Sequence, residues 1–294
     1  MAQETGMSLT ILGGKGFVLG EYVNQFYHHA IGNITSVNGR EDYSVYSEDI
    51  LYGISTLHNF HVFTDPYLDI ETNLTTLVKV LENWKQYQDK TGKKGCFNFL
   101  SSWSCYGAGH EPPVSETADC RPSGFYISTK FCAENLLRAY CIAHGFNCRI
   151  LRMANIVGPD PKVSKQKNQL QYNIGLLAQN KDVELFGDGL FFRDFLHVRD
   201  ASRAIETVLC KGVVNDVFNI GNGWPGYYYK DILEYAKEKL ESSGSIVFRE
   251  ATEFQKKVPV ASFYMDVSKL CALGFTSQYT GKALFDTLIP TQEK

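Results

Sequence analysis

From residue 8 to residue 158 the chain alternates short apolar runs with segments of helical periodicity. This alternation restricts the fold more than any other feature of the sequence. SLTILGG (8–14), NITSVNG (33–39), DILYGIST (49–56), CFNFLSS (96–102) and CRILRMANIVG (148–158) read as strands. Helices are expected over about 17–30, from Asp69 to Tyr87, and from Phe125 to His144, the last closed by Gly145. In the second of these, Ile70, Leu74, Leu77, Val78, Leu81 and Trp84 recur at three- and four-residue steps, the spacing of one helix face. Strand and helix in strict turn specify a parallel sheet with helices on both faces. After Pro159 the pattern loosens, and helices near 168–179, 200–210 and 230–242 mix with short extended pieces. The expected architecture is a doubly wound α/β domain of residues 7–157 plus 191–223, with a smaller mixed α/β lobe of 158–190 plus 224–294.

The first strand runs into GGKGFVLG (13–20), and a helix is expected to start there. Glycines at such a junction let backbone N–H groups approach a pyrophosphate at a helix N-terminus, as in Rossmann-type sites. Gly13 and Gly16 have the spacing for the tight turn and the close approach, with Phe17 and Val18 opening the helix. A third glycine is expected at position 19, where the chain has Leu19 followed by Gly20. A plain glycine turn is the alternative reading. At the end of the second strand, VNGRED puts Asn38 and Arg40 where a ribose-binding carboxylate usually stands, with Glu41 and Asp42 just after. Arg40 would meet a 2′-phosphate, stack on adenine, or stand exposed in a loop. The expected cofactor is NAD, with NADP as the alternative that Arg40 would suit.

Charge and cysteine content limit the partners. With 29 basic and 32 acidic residues the net charge is −3, so no global positive field exists for nucleic acid or an anionic membrane. No apolar run approaches the roughly 20 residues of a membrane-spanning helix, and MAQETGM lacks the charged-then-apolar pattern of a signal peptide. The eight cysteines form no CxxC pair, so no metal site is expected. They read as small buried hydrophobes in a reducing cytoplasm.

SGFYISTK (123–130) sets Tyr126 four residues before Lys130, on one face of a helix. A tyrosine serves as a proton donor or acceptor near neutrality only if its pKa falls from about 10. A neighbouring ammonium would favour the phenolate. Ser102 closes the preceding strand, at the edge where parallel-sheet sites open, and supplies a hydroxyl to hold a substrate oxygen.

Taken in order, these stretches resemble the extended short-chain dehydrogenase/reductase family, in particular its NAD-dependent nucleotide-sugar epimerases and dehydratases. The resemblance runs from Met7 to about Leu288. GGKGFV is similar to the cofactor loop and DILYGIST to the family's hydrophobic strand ending in H-L-A-A. SSWSCYG is similar to S-S-x-x-V-Y-G and SGFYISTK to P-Y-G-x-S-K. LRMANIVGP is similar to L-R-x-x-N-V-Y-G-P, and FGDGLFFRDFLHVRD and NIGNG to the corresponding later motifs. The resemblance implies Ser102, Tyr126 and Lys130 as catalytic residues, with Tyr126 and Lys130 also on the cofactor. It places Ile54, Ser55, Thr56 and Asn73 on the cofactor side, and Ser104, Asn155, Asn168 and Arg193 toward the substrate. There are departures. Only about ten residues separate the second strand from DILYGIST, so the sheet is expected to be trimmed there, and Gly53 stands at the usual histidine.

The implied substrate is a nucleoside-diphosphate sugar, oxidised transiently at a ring hydroxyl. Relatives that remove water carry an acid pair directly after the active-site serine or threonine. Here those positions are Trp103 and Ser104, so epimerisation is expected over dehydration, with net ketoreduction as the alternative. Arg193 suits a diphosphate, or else pairs with Asp194. Lys162, Lys165 and Lys167 read as a solvated loop, and His197, inside FLHV, as a core histidine. Relatives pair two copies through the helix bearing Tyr126 and the helix from Asp69 to Tyr87. The implied assembly is a homodimer, with Phe131, Leu136, Leu137 and Tyr140 offering the first helix's surface. A silent dinucleotide sensor or a scaffold subunit on the same fold is the non-enzymatic alternative.

Overall fold

The computed structural model describes residues 8–26, 34–37, 42–160, 163–164, 168–224, 227–250 and 262–290. Asn38, Arg40, Lys162, Lys165 and Lys167 lie outside them. Strand β1 (Leu9–Leu12) leads into helix α1 (Phe17–Phe26), then β2 (Ile34–Val37) and β3 (Asp49–Tyr52). A short 3₁₀ turn (Asn59–Phe63) precedes α2 (Pro66–Ile70), a π-helical stretch (Glu71–Thr75) and α3 (Thr76–Thr91). Next come β4 (Cys96–Ser102), a second 3₁₀ turn (Trp103–Tyr106), α4 (Phe125–His144), β5 (Asn147–Met153) and β6 (Asn155–Val157). The remaining elements are α5 (Gln169–Ala178), β7 (Val183–Phe186), β8 (Phe195–His197), α6 (Val198–Lys211), β9 (Asp216–Ile220), α7 (Tyr229–Lys239), β10 (Ile246–Arg249), α8 (Ser268–Ala272) and α9 (Gly281–Asp286).

The main sheet has the order β2-β1-β3-β4-β5-β9, and every pairing in it is parallel. This is the expected doubly wound fold, with β2 at the edge where the connection to β3 is short. All four residues of β1 are buried, as are most of β4 and β5, because helices cover both faces of a parallel sheet. One apolar cluster joins Leu9, Ile11, Leu151 and Phe218 to Ile205 and Val208 of α6. Another, on the opposite face, joins Ile50, Phe97 and Ile150 to Trp84 of α3 and Leu137 of α4. A third is built from β7, α5, α7 and α9, including Val183, Ile174, Leu233 and Phe285. Each fully buried leucine, isoleucine or phenylalanine contributes about 1.5–3 kcal/mol relative to exposure.

Three expectations need correction. DILYGIST is a strand only to Tyr52, and Gly53–Thr56 leave the sheet as loop. CRILRMANIVG is two strands, not one. At Ala154 the chain steps out of the main sheet, and Asn155–Val157 pair instead with β8. Leu137, expected on the outer face of α4, is fully buried beneath it, whereas Leu136 and Ile142 are exposed, as is Val78 on α3. The amphipathic pattern of α4 is blunted by apolar residues all round, so periodicity does not reveal which of Leu136 and Leu137 turns inward.

Candidate active site

The C-terminal ends of β1 and β4 lead to Gly13 and Ser102. Gly13 follows β1 with φ +91°, and Gly16 N–H donates to the Gly13 carbonyl at 2.9 Å. A Cβ on Gly13 would stand 3.2 Å from the Gly53 carbonyl carbon, so the glycine loop lies directly against the end of β3. This packing accounts for the departures at Leu19 and Gly53. Leu19, standing where a third glycine is expected, fills the space that Gly53 vacates. A Cβ at Gly53 would come within 2.5 Å of Leu19 Cδ1. The bulk has moved from one side of the contact to the other. The first turn of α1 carries no acidic residue, and Phe17 and Val18 are partly buried there. A helix N-terminus with no opposing charge fits the pyrophosphate of a dinucleotide.

On the other side of this loop, Asn73 braces the wall. Its Oδ1 accepts from the Thr56 backbone N–H (2.9 Å), while its Nδ2 donates to Thr56 Oγ1 (2.9 Å) and Thr129 Oγ1 (2.8 Å). Thr129 Oγ1 donates in turn to the Tyr126 carbonyl at 2.7 Å. Asn73 sits in the π-helical stretch, a local widening that redirects a side chain and often marks a functional site. Thr56 is therefore tied to the first turns of α4, while Ile54 packs on the core.

Ser102, Tyr126 and Lys130 lie at the end of β4 and in the first turns of α4. Ser102 Oγ caps the 3₁₀ turn by accepting from the Ser104 N–H (3.3 Å) and pairs with Ser104 Oγ at 2.6 Å. Lys130 is buried, its Nζ donating to the Leu100 carbonyl (2.7 Å) and lying 4.3 Å from the Phe99 ring centroid. The sequence expectation of an ammonium lowering the tyrosine pKa is not what this structure has. Burial pushes the Tyr126 phenol up to about 12. A hydrogen bond with Ser55 opposes this, and the neighbouring Cys105 and Asp69 add to it. The lysine charge is directed at Leu100 instead. A further pair near the phenol escaped the sequence reading: Asp69, fully buried, bonds His61 Nδ1 through Oδ1 at 2.9 Å.

Burial also depresses Lys130 to about 8, against its ordinary 10.5, with Cys105 and Glu134 resisting. An unfolded chain holds this proton up to about pH 10.5, whereas the folded chain releases it near 8. Stability should therefore rise with pH between those values, and the burial cost is fully present below 8. Lys130→Met is expected to stabilise the cofactor-free protein at pH 7, by up to about 3 kcal/mol at about 1.4 kcal/mol per pKa unit. It should also flatten that slope. Urea denaturation at pH 7, 8, 9 and 10 reads both effects, and an unchanged slope would refute the assignment.

Behind the site lies a buried ion pair that the sequence reading also missed. Arg152 donates from Nη2 (2.7 Å) and Nε (3.1 Å) to Glu134, one turn beyond Lys130. Ser101 Oγ donates to the same carboxylate, and the guanidinium lies 4.6 Å from the Tyr106 ring centroid. Tyr106 OH donates to Asn219 Oδ1 at 2.6 Å, which joins β9 to the network. Glu134 stands eight residues after Tyr126, and that spacing was the available signal.

Toward the substrate side, Arg193 is buried, with its guanidinium 5.4 Å from the Trp103 ring centroid and 5.2 Å from that of Phe191. Burial lowers its pKa to about 10, so it stays charged at neutral pH. Asp194 turns its carboxylate to the backbone N–H groups of Asn222 (2.8 Å), Gly223 (3.3 Å) and Met265 (3.3 Å). Asn155 donates from Nδ2 to the Asp194 carbonyl (3.1 Å), and Asn168 caps α5 by accepting from Gln171 N–H (3.3 Å). The amides of these two residues thus support the local framework. His197 is a core residue stacked on Tyr279, with centroids 3.9 Å apart.

Comparison with known proteins gives the family and the fold. The family model described as "NAD dependent epimerase/dehydratase family" matches residues 55–221, more than half of the chain. A dTDP-glucose 4,6-dehydratase of Neisseria meningitidis is 29% identical over 174 residues, covering 57% of this chain and 47% of that protein. A putative UDP-glucose 4-epimerase of Methanocaldococcus jannaschii is 25% identical over 213 residues, covering 72% of this chain and 66% of that protein. The chain thus spans about half to two thirds of the length of the curated relatives it matches. The crystal structure of Thermus thermophilus UDP-glucose 4-epimerase in complex with NAD superposes with a TM-score of 0.81 at 18% identity, over 96% of this chain and 98% of that one.

Proposed function

Because the chain belongs to the NAD-dependent epimerase/dehydratase family, we propose that it inverts a ring carbon of a nucleoside-diphosphate sugar. Nicotinamide, when bound, supplies hydride acceptance and return. The rest falls to the chain's own side chains. Ser102, whose hydroxyl already pairs with Ser104, holds the reacting sugar oxygen. Tyr126 exchanges a proton with that oxygen, and Lys130 holds the cofactor ribose. Asn155 and Asn168 line the sugar-nucleotide path, and Arg193 takes the diphosphate, since a guanidinium meets phosphate oxygens in pairs.

The observation that carries epimerisation over dehydration is the chemistry of the two residues after Ser102. Trp103 packs on Phe263 with centroids 4.6 Å apart, and Ser104 is bonded to Ser102 itself. Elimination of water needs an acid and a base placed at neighbouring carbons. Neither of these two side chains is either. Glu134, the carboxylate on the α4 face behind the site, is committed to Arg152. Incubation of the NAD-loaded protein with UDP- and dTDP-hexoses, read by proton NMR, should give an epimer and no 4-keto-6-deoxy sugar. A 4-keto-6-deoxy product would make it a dehydratase, and net consumption of NADPH would make it a ketoreductase.

A further inference from the structure

We propose that Trp103 is a positioning residue for Arg193, fixing the guanidinium in the place from which it meets the diphosphate of the substrate. The inference rests on the nucleotide-sugar reading above, and gives the residue at a vacated acid position a role of its own.

Trp103 is placed by the catalytic strand. It is the first residue of the 3₁₀ turn that Ser102 caps, so its position is set by the same hydroxyl that is assigned to the sugar oxygen. Its ring packs on Phe263, and Phe263 is bridged in parallel to Arg193, with its N–H donating to the Phe192 carbonyl at 3.2 Å. Arg193 Nη1 donates to that same carbonyl at 3.0 Å. The segment bearing Arg193 and the turn bearing Trp103 are therefore joined twice, once through Phe263 and once through the guanidinium over the indole.

The chemistry of a guanidinium makes this arrangement directional. Its five N–H groups lie in one plane, and its flat faces stack on aromatic rings. Phe191 and Trp103 both lie within cation–π range. The two rings and the Nη1 bond to the Phe192 carbonyl hold the guanidinium at one place, and a guanidinium so held can meet phosphate oxygens in pairs. Side-chain entropy that would otherwise be lost on binding is already spent in the free protein. A smaller residue at 103 would leave a long, rotamer-rich arginine to be ordered by the ligand.

The test is calorimetric binding of uridine, UMP and UDP, with dTDP in parallel, to wild type, Trp103→Ala, Trp103→Phe, Arg193→Ala and the Trp103→Ala/Arg193→Ala double variant. Trp103→Ala should weaken UDP binding about tenfold, the scale of a lost cation–π contact in a desolvated site. Uridine binding should be unchanged. Trp103→Phe, which keeps a ring against Phe263, should recover most of the loss. In the double variant the tryptophan change should cost nothing beyond Arg193→Ala, because coupled residues are not additive. Equal weakening of uridine and UDP by Trp103→Ala, or additive losses in the double variant, would overturn the proposal and leave a merely structural tryptophan. If Arg193→Ala weakens UDP and Trp103→Ala does not, the proposal fails while the nucleotide-sugar reading stands. If the wild type binds neither diphosphate, the nucleotide-sugar reading fails and takes the proposal with it.

Discussion

Tyr126→Phe should lower turnover by about 10²- to 10⁴-fold, the usual contribution of a positioned acid–base group, while leaving the fold and the bound cofactor in place. The phenyl ring keeps its seat at the start of α4, where Thr129 bonds the Tyr126 carbonyl and Asn73 bonds Thr129. None of these contacts uses the phenol oxygen. Only the hydroxyl, and its hydrogen bond with Ser55, are lost. The same phenol is held protonated in the protein alone, since burial sets its pKa at about 12. Its base form must therefore be drawn out by positive charge arriving with the bound ligands or by a turn of Lys130 away from Leu100. Turnover should accordingly rise with pH through a group well below 12 in the loaded enzyme. The check is turnover with the active nucleotide sugar, together with cofactor content by absorbance after denaturation. Near-native turnover in Tyr126→Phe would reduce the pair at 126 and 130 to a helix face.

Arg152→Ala should be the most destabilising single change at the site, at about 3–5 kcal/mol, because it strands a buried carboxylate. Glu134 is 1% exposed and Arg152 4%, so water cannot take over as partner. Ser101 and the truncated site would leave Glu134 with one hydroxyl donor where it now has three donors. Replacing both partners together, Glu134→Leu with Arg152→Met, should recover most of the loss, since neither charge of the pair then remains to desolvate. Urea denaturation of the three variants reads the comparison. A single variant that loses less than about 1 kcal/mol would mean the pair contributes little to the fold. The consequence for chemistry is positional: Glu134 lies on α4 one turn past Lys130, so loosening it loosens the helix that aims the lysine.

The parts legible in the sequence are those written in local chemistry. The glycine loop, the Ser102 strand end and the Tyr126–Lys130 spacing each need particular residue types at fixed separations, and the parallel sheet follows from alternation. What escaped notice was set by contacts between distant segments. The step at Ala154 is decided by pairing of Asn155–Val157 with β8, forty residues on, and nothing in CRILRMANIVG marks it. The exchange of bulk between Leu19 and Gly53 is two unrelated departures in the sequence, because the two residues meet only where the loop packs on β3. The direction of Lys130 toward Leu100 depends on a carbonyl, which has no sequence signature at all. Arg152 stood inside a recognised motif, yet its partner lies on another element, and a one-dimensional pattern does not say which charges meet.

The central claim is that a ring carbon is inverted by removal and return of its own hydride, with Tyr126 handling the proton. The most direct measurement uses the active nucleotide sugar carrying deuterium on the carbon that inverts, turned over in ordinary water and read by mass spectrometry and NMR. Transient oxidation at that carbon predicts an epimer that keeps its deuterium, with none lost to solvent and no net change in cofactor. An epimer in which the deuterium has been replaced by solvent hydrogen would show inversion by deprotonation at carbon, and would contradict the account.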